Sequence, residues 1–256
     1  MHLDRLISVL ETIAIAGRPL SAPELHRATG LPRPTCYRLL QNLAEHHLLD
    51  GSGSRAKYAV GERLIRIALL SRSDTDVRRT AAPFLRKAAI DFGEAVFLSR
   101  LRSRNVEIIQ VETPADPSRA YIHPGLGDRP MHACSCSKAI AAFADEDFRD
   151  DILVGTLKAY TERTKISPEQ VREEFASIQA TGYAECVEEI EAGISSVAAP
   201  IQIGDIGATF SVGAIGPIRR FTEAHRAKVG TELIQLASTI SAAITLNSAF
   251  TPSEAA

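Results

Sequence analysis

Long apolar runs are missing from this chain, and none approaches the roughly 20 residues that a membrane-spanning helix needs. The opening stretch "MHLDRLISVL" carries Asp4, is followed by Glu11, and lacks a small-residue cleavage site, so it does not look like a signal peptide. Cysteine is scarce, with four in 256 residues, too few for a secreted disulfide framework. A cytoplasmic protein is therefore expected. Catalytic signatures are missing too: there is no G-x-S-x-G, no P-loop, no G-x-G-x-x-G and no H-E-x-x-H. What is present is ordinary for a folded chain. Charged residues make up 23% and hydrophobic residues 45%, which argues against disordered and fibrous classes. The length allows one large domain or two modest ones.

The net charge of −2 hides an asymmetry. Residues 1–73 carry ten Lys and Arg against six Asp and Glu, while the remainder carries 19 against 25. A small basic part ahead of a larger acidic one suggests a nucleic-acid contact at one end and other work elsewhere.

The basic part reads as three helices and a hairpin. Leu3, Leu6, Ile7, Leu10, Ile13 and Ala14 recur at helical spacing and predict a helix to about Ala16, ended by Gly17 and Pro19. Ser21 and Glu24 form a capping box for a short helix that closes at Gly30. A third helix starts near Pro32, with Cys36, Leu39, Leu40 and Leu43 as its apolar stripe. Residues Gly51 to Ser54 make a turn, and Lys57 to Val60 a short strand, giving a hairpin with Arg55 and Lys57 at its tip. This order is that of a winged helix-turn-helix. A recognition helix points its N-terminal residues at base edges and phosphates, where Arg reads guanine and Thr bonds bases or phosphate. Arg33, Pro34, Thr35, Tyr37 and Arg38 occupy that head, Ser21 caps the preceding helix, and Arg55 and Lys57 suit a backbone or minor-groove contact.

Beyond Gly61 a helix runs to about Ser73, and another restarts at Asp74 and ends at Gly93. "AVFLSRL", "VEIIQVE", "GYAECV", "SSVAAPIQ" and "GATFSVGAI" read as strands, "PGLGDRP" as a loop. A helix is expected from Ser137 or Lys138, and Ser167 with Gln170 is a second capping box for a helix ending at Gly182. Thr222 caps a long final helix through about Leu246, and Glu188 and Glu189 read as a solvated turn. Without a steady βαβ rhythm, an antiparallel sheet with helices on its faces is expected.

One stretch, "MHACSCSKA" at 131–139, sets two cysteines, two serines and a histidine before a helix. Three readings stand. Ser135, Cys136 and the following N–H groups hold the carboxylate of a small effector; the segment is structural, its small residues allowing close packing; or His132, Cys134, Cys136 and distant Cys186 bind a metal or sense oxidants. A thiol-dependent enzyme using Cys136 and His132 is a further rival, though no third catalytic group is evident.

The segments "ISVLETIAIAGRPLSAPELHRATGLPRPTCYRLLQNLAEHHLL", "YAVGERLIRIALL", "RPMHACSCSKAIAAF" and "GYAECVEEIEAGISSVAAPI" together resemble the IclR family of bacterial transcription regulators. The resemblance implies a mixed α/β chain: a winged helix-turn-helix at 1–60, a linker helix at 61–75, and a GAF-like α+β effector-binding and oligomerisation domain at 76–250. It implies double-stranded operator DNA and a small organic acid as partners, a homo-oligomer (dimers pairing into tetramers), no catalysis, no metal and no cofactor. Matched to family members that bind small oxo-acids, the effector contacts are Cys134, Ser135, Cys136 and Ser137 before the helix, Cys186 after "GYAE", Ser196, and Gly213 with Ile215. Here an acidic position has become Cys186, two serine positions have become Gly213 and Ile215, and the usual glycine before the lysine is Ser137. A site with fewer polar groups, more room and more apolar surface is expected, suited to a larger carboxylate with an apolar or aromatic body.

Overall fold

The fold was analysed in a computed structural model that describes residues 2–51, 56–70, 73–116, 121–203 and 207–248. The chain divides into two compact units, the first made of Met1–Arg72 and the second beginning at Ser73.

In the first unit, helices α1 (His2–Ala16), α2 (Ala22–Thr29) and α3 (Arg33–Glu45) pack around Val9, Ile13, Leu25, Cys36, Leu39, Leu40 and Leu43. The buried residues of α3 are the four that its sequence periodicity marked. The turn between α2 and α3 is held by Gly30, at φ 67°, and by His26 Nδ1 on the carbonyl of Leu31 at 2.5 Å. Glu24 accepts hydrogen bonds from both the backbone N–H and the hydroxyl of Ser21, at 2.8 and 2.6 Å. The expected two-stranded wing has a third strand: β1 (Leu20–Ser21) joins β3 (Lys57–Val60) on the side opposite β2 (Leu49–Asp50). Two residues are too short to show alternation, so β1 left no sequence signal. Helix α4 (Glu62–Leu70) follows, and Gly61 lets the chain pass close to the 47–49 backbone, where a Cβ would lie 2.5 Å from the carbonyl oxygen of His47.

The second unit is a six-stranded, wholly antiparallel sheet in the order β6-β5-β4-β9-β8-β7. Its strands are β4 (Ala95–Arg102), β5 (Asn105–Glu112), β6 (Gly127–Arg129), β7 (Ala184–Val187), β8 (Ile194–Gln202) and β9 (Ala208–Pro217). Helices α5 (Asp74–Phe92) and α9 (Glu223–Ser248) cover one face. Helices α6 (Ser135–Ala142) and α8 (Pro168–Thr181) lie on the other, with α7 (Glu146–Ile152) beside α6. The strands are apolar on both sides because both faces are covered. The first residue of α5 is fixed to the sheet: Asp74 Oδ1 accepts from Arg100 at 2.7 Å and from Arg102 at 2.6 Å, both on β4. Arg100 is buried, and its guanidinium lies 5.2 Å from the centre of the Phe210 ring.

Three local expectations are corrected. "PGLGDRP" is not all loop, since Gly127–Arg129 pairs with β5 as an edge strand. Helix α6 begins at Ser135, because the Cys134 carbonyl already accepts from Lys138 N–H at 2.9 Å. All eight of its residues are buried, so no amphipathic period marked its start. Ser167 does precede α8, but no reciprocal box with Gln170 forms; its hydroxyl donates to Glu169 instead, at 2.6 Å.

Candidate functional site

The first candidate surface is the head of α3. Arg33, Pro34, Tyr37 and Arg38 are exposed and Thr35 is half-buried, outside the buried Cys36, Leu39, Leu40 and Leu43 stripe. Tyr37, a large aromatic, keeps 44% of its surface open. Helix α3 carries no acidic residue in its first turn, so its free N–H groups and the Arg33 charge act with the same sign on an approaching phosphate. Lys57 is exposed on β3, opposite Ser21 in the register. The Ser21 hydroxyl is engaged with Glu24, which these hydrogen bonds and the Arg18 guanidinium hold at a pKa of about 2. Arg55 lies outside the described residues.

The second candidate site lies between the N-terminus of α6 and the sheet. The register fixes which side chains share its face. Cys186 pairs with Ser196, Ser196 with Ile215, and Gly213 with Phe97, so all five project toward α6. Ser135 reaches the sheet, its hydroxyl 2.7 Å from that of Ser196. Cys134 caps α6, and its sulfur lies 3.3 Å from that of Cys136. The Ser137 hydroxyl meets the Arg129 carbonyl at 3.5 Å. Every residue of the set except Ile215 is buried. The structure thus brings the sequence-marked residues together from four separate segments.

Two expectations about this site change. Glycine at 213 does not open space. A Cβ there would sit 2.4 Å from Phe97 Cζ and 2.6 Å from the Val197 carbonyl oxygen, so the Phe97 ring already lies over it. An aromatic ring, not a void, occupies the face at Gly213. The Glu188 and Glu189 pair is not a solvated turn. Glu188 takes φ 56° and accepts from Gly193 N–H at 2.8 Å. Glu189 is 5% exposed and accepts from Lys138 Nζ at 2.6 Å; Glu174 of α8 accepts from the same ammonium at 2.7 Å.

Lys138 is wholly buried. Burial works to lower its pKa, and the carboxylates of Glu174 and Glu189 override this and hold it above the ordinary lysine value. Burial pushes the Glu189 carboxyl up. Thr164 donates to the Glu189 carbonyl at 2.6 Å and Thr161 to that of Glu188 at 2.6 Å, so the 188–189 turn is held from two sides. This network is one part of the site the sequence did not disclose, because Lys138 sits in a run of small residues.

Arg129 is another. Its guanidinium donates to the carbonyls of Pro124 and Gly125, and its buried Nε has no partner among the described residues. Its charge lowers the pKa of both Cys134 and Cys136. The two thiols nevertheless diverge. The hydrogen bond to Cys136 and burial push Cys134 well up. For Cys136, burial acts upward, but the hydrogen bonds with Cys134 and Ser137 and the Arg129 charge outweigh it and hold the thiol below its ordinary value. Burial pushes Cys186 up to about 12. His132 turns away from the thiols, its Nε2 3.0 Å from the Lys158 carbonyl and its ring stacked on Tyr160. Among the described residues, no group of three or more His, Cys, Asp and Glu is placed to hold a metal.

Known proteins resemble the chain in both units. The family model for the IclR helix-turn-helix domain matches residues 2–51, and that for the bacterial transcriptional regulator IclR C-terminal region matches residues 70–242. The glycerol operon regulatory protein of Streptomyces coelicolor is 27% identical over 216 residues, covering 82% of this chain and 84% of that protein. The transcriptional repressor IclR of Escherichia coli is 26% identical over 243 residues, covering 94% and 89%. A crystal structure of an IclR homolog from Microbacterium hydrocarbonoxydans, complexed with 4-hydroxybenzoate, shares the fold at a TM-score of 0.59 and 23% identity, covering 95% of this chain and all of that one. Regulators, not enzymes, are what these relatives are, and the thiol-enzyme reading falls with that. With the reader helix, its wing and the α6-capped sheet in place, and with the C-terminal model spanning most of its length, the chain belongs to the IclR family of bacterial transcriptional regulators and binds DNA through its helix-turn-helix.

Proposed function

We propose that this regulator is a repressor released by a carboxylic acid with an apolar or aromatic body, bound between α6 and the sheet. The observation that carries the reading is the Ser135 and Ser196 hydroxyl pair, 2.7 Å apart at the N-terminus of α6. Hydroxyls and helix N–H groups suit a carboxylate. Arg129, with its unpartnered Nε, supplies a cation on the same side, and Phe97, Met131, Ile190 and Ile215 offer apolar surface around it. The related structure that holds 4-hydroxybenzoate supports an aromatic acid, and the E. coli relative's name supports repression. Two readers in a dimer, and dimers pairing into a cytoplasmic tetramer, follow the family and match a roughly palindromic operator.

Effector binding acts on the operator only through a difference in affinity between two arrangements of the readers. The test is fluorescence anisotropy of the protein on DNA flanking its own gene and on fragments it selects from a random pool, with benzoate, 4-hydroxybenzoate and acetate added. Release by the aromatic acids, with calorimetric affinity at least about tenfold above acetate's (about 1.4 kcal/mol), is expected. Acetate binding as tightly as the aromatic acids overturns the effector class. Ser196→Leu is expected to abolish acid binding while DNA affinity stays. A variant that no longer folds shows Ser196 to be a packing residue instead, and Ser196→Thr, which keeps the hydroxyl, then carries the binding measurement.

A further inference from the structure

The effector reading places Cys134 and Cys136 at the site but gives their thiols no chemistry, and their placement is unusual. Cys134 has the extended backbone of a helix cap, at φ −82° and ψ 137°, whereas Cys136 is already helical. The change of direction between them sends the Ser135 side chain to the sheet and brings the two flanking sulfurs to 3.3 Å. A disulfide needs about 2.05 Å, so closing the bond takes a relative movement of about 1.3 Å. All four cysteines are free thiols. Cys36 sits in the core of the other unit, where burial pushes its thiol up. Cys186 faces the pair from β7.

We propose that Cys134 and Cys136 form a reversible, peroxide-oxidised dithiol and that closing it shifts the affinity of the regulator for DNA. The attacking sulfur is Cys136. It lies in the first turn of α6, where the helix field favours a thiolate, and its sulfur is within hydrogen-bond reach of the Cys134 sulfur. Its thiolate attacks the outer oxygen of a hydroperoxide. The S–O bond forms, the O–O bond breaks, and the alcohol or water leaves with the proton that the thiol gave up. The Cys134 sulfur then attacks the resulting sulfenic acid. The S–S bond forms, the S–O bond breaks, and water departs carrying the second thiol proton. Two thiols lose two electrons and the peroxide gains them.

The consequence is local and mechanical. The bond forms a small ring through Ser135, whose hydroxyl is seated on Ser196, and it removes the hydrogen bond between the two thiols. The sulfurs approach at the cap of α6, where both side chains are buried and their torsions and the cap backbone must take up the movement. Oxidation therefore acts on the end of the helix that faces the sheet, where the Cys134 carbonyl accepts from the Lys138 N–H.

The experiment uses the full chain, reduced and then treated with hydrogen peroxide in modest excess. Free thiols are counted, the intact mass is measured, and peptides are mapped. The expected result is a fall from four free thiols to two and a loss of two hydrogens located within one peptide spanning 134–136, reversed by dithiothreitol. DNA selected from a random pool by the reduced protein is expected to bind the oxidised form with an affinity changed by about tenfold. Cys186→Ser is expected to oxidise as the parent does. Cys134→Ser is expected to stop at a sulfenic acid on Cys136 that dimedone traps, and Cys136→Ser to show neither product. Four thiols persisting, or a pair that includes Cys36 or Cys186, overturns the assignment. A 134–136 disulfide with unchanged DNA affinity overturns the switch. Effector binding plays no part in these measurements, so a wrong effector class leaves their outcome intact.

Discussion

The two units of this regulator display their chemistry in opposite ways. The DNA reader places its working side chains outward, on the solvent face of α3, and spends its apolar stripe on a core of leucines. The second unit turns its polar groups inward: Ser135, Ser137, Lys138, Glu189, Ser196 and Ser211 are all buried. On the reader, side chains are nearly independent of one another and of folding. In the second unit each of these six is held by another group, and its chemistry and its stability are the same contacts. A surface residue away from special features changes stability by about 0.5 kcal/mol or less, while an orphaned buried charge costs several times that.

The strongest attempt to break this contrast is Lys138→Met. It leaves Glu189 buried without its cation, while Glu174 keeps Lys165 at 3.0 Å. A destabilisation of about 3–5 kcal/mol is expected, read by thermal or denaturant unfolding of the second unit. The double variant Lys138→Met with Glu189→Gln is expected to recover part of it; equal stability of all three chains would show that the buried network holds nothing.

Next is Gly213→Ala. The new methyl meets the Phe97 ring and the Val197 carbonyl, and overpacking of about 1–3 kcal/mol is expected. Neutral stability would mean that the ring swings aside and that the site has room after all.

The reader is tested by Arg33→Ala and Arg38→Ala. Each is expected to cost about 1–3 kcal/mol in operator affinity if it reads a base, with unfolding shifted by no more than about 0.5 kcal/mol. Unchanged DNA affinity in both removes the assignment of α3 as the reading helix. The smallest effect is expected from Lys57→Ala. Binding should weaken to a similar degree on all sequences, with the slope of log affinity against log salt reduced by about 1. A sequence-dependent loss would move Lys57 from the phosphates to the bases.

The same contrast explains how much could be read before the fold was known. Helices α1, α2 and α3 follow from apolar spacing, the Ser21 and Glu24 box and the stops at Gly17 and Gly30, because an exposed helix advertises its buried stripe. The five longer strands were legible from their β-branched and apolar runs. The start of α6 was not, because a helix buried on every side has no stripe to show. Nor was the pairing of Lys138 with Glu174 and Glu189, whose partners lie 36 and 51 residues further along the chain. Two adjacent glutamates look solvated in a sequence, and only the fold supplies the cation that makes one of them internal. Phe97 over Gly213 was illegible for a related reason. The register that pairs β4 with β9 is set by both strands and by the helices on either face.

Strand β4 makes one last point. Phe97 and Ser99 point into the α6 face, while Arg100 and Arg102, on the reverse side, grip Asp74 at the start of α5. At roughly 3.3 Å per residue, Phe97 and Arg100 are separated by only about 10 Å of backbone. Side-chain alternation, usually no more than a way to bury one face and wet the other, here turns a strand into a rocker. Its two faces are bound to different neighbours, one to the α6 side and the other to the start of α5. A rearrangement around the Phe97 ring has a short covalent route to the helix that follows residues 71–72, with no chain of intermediates to cross.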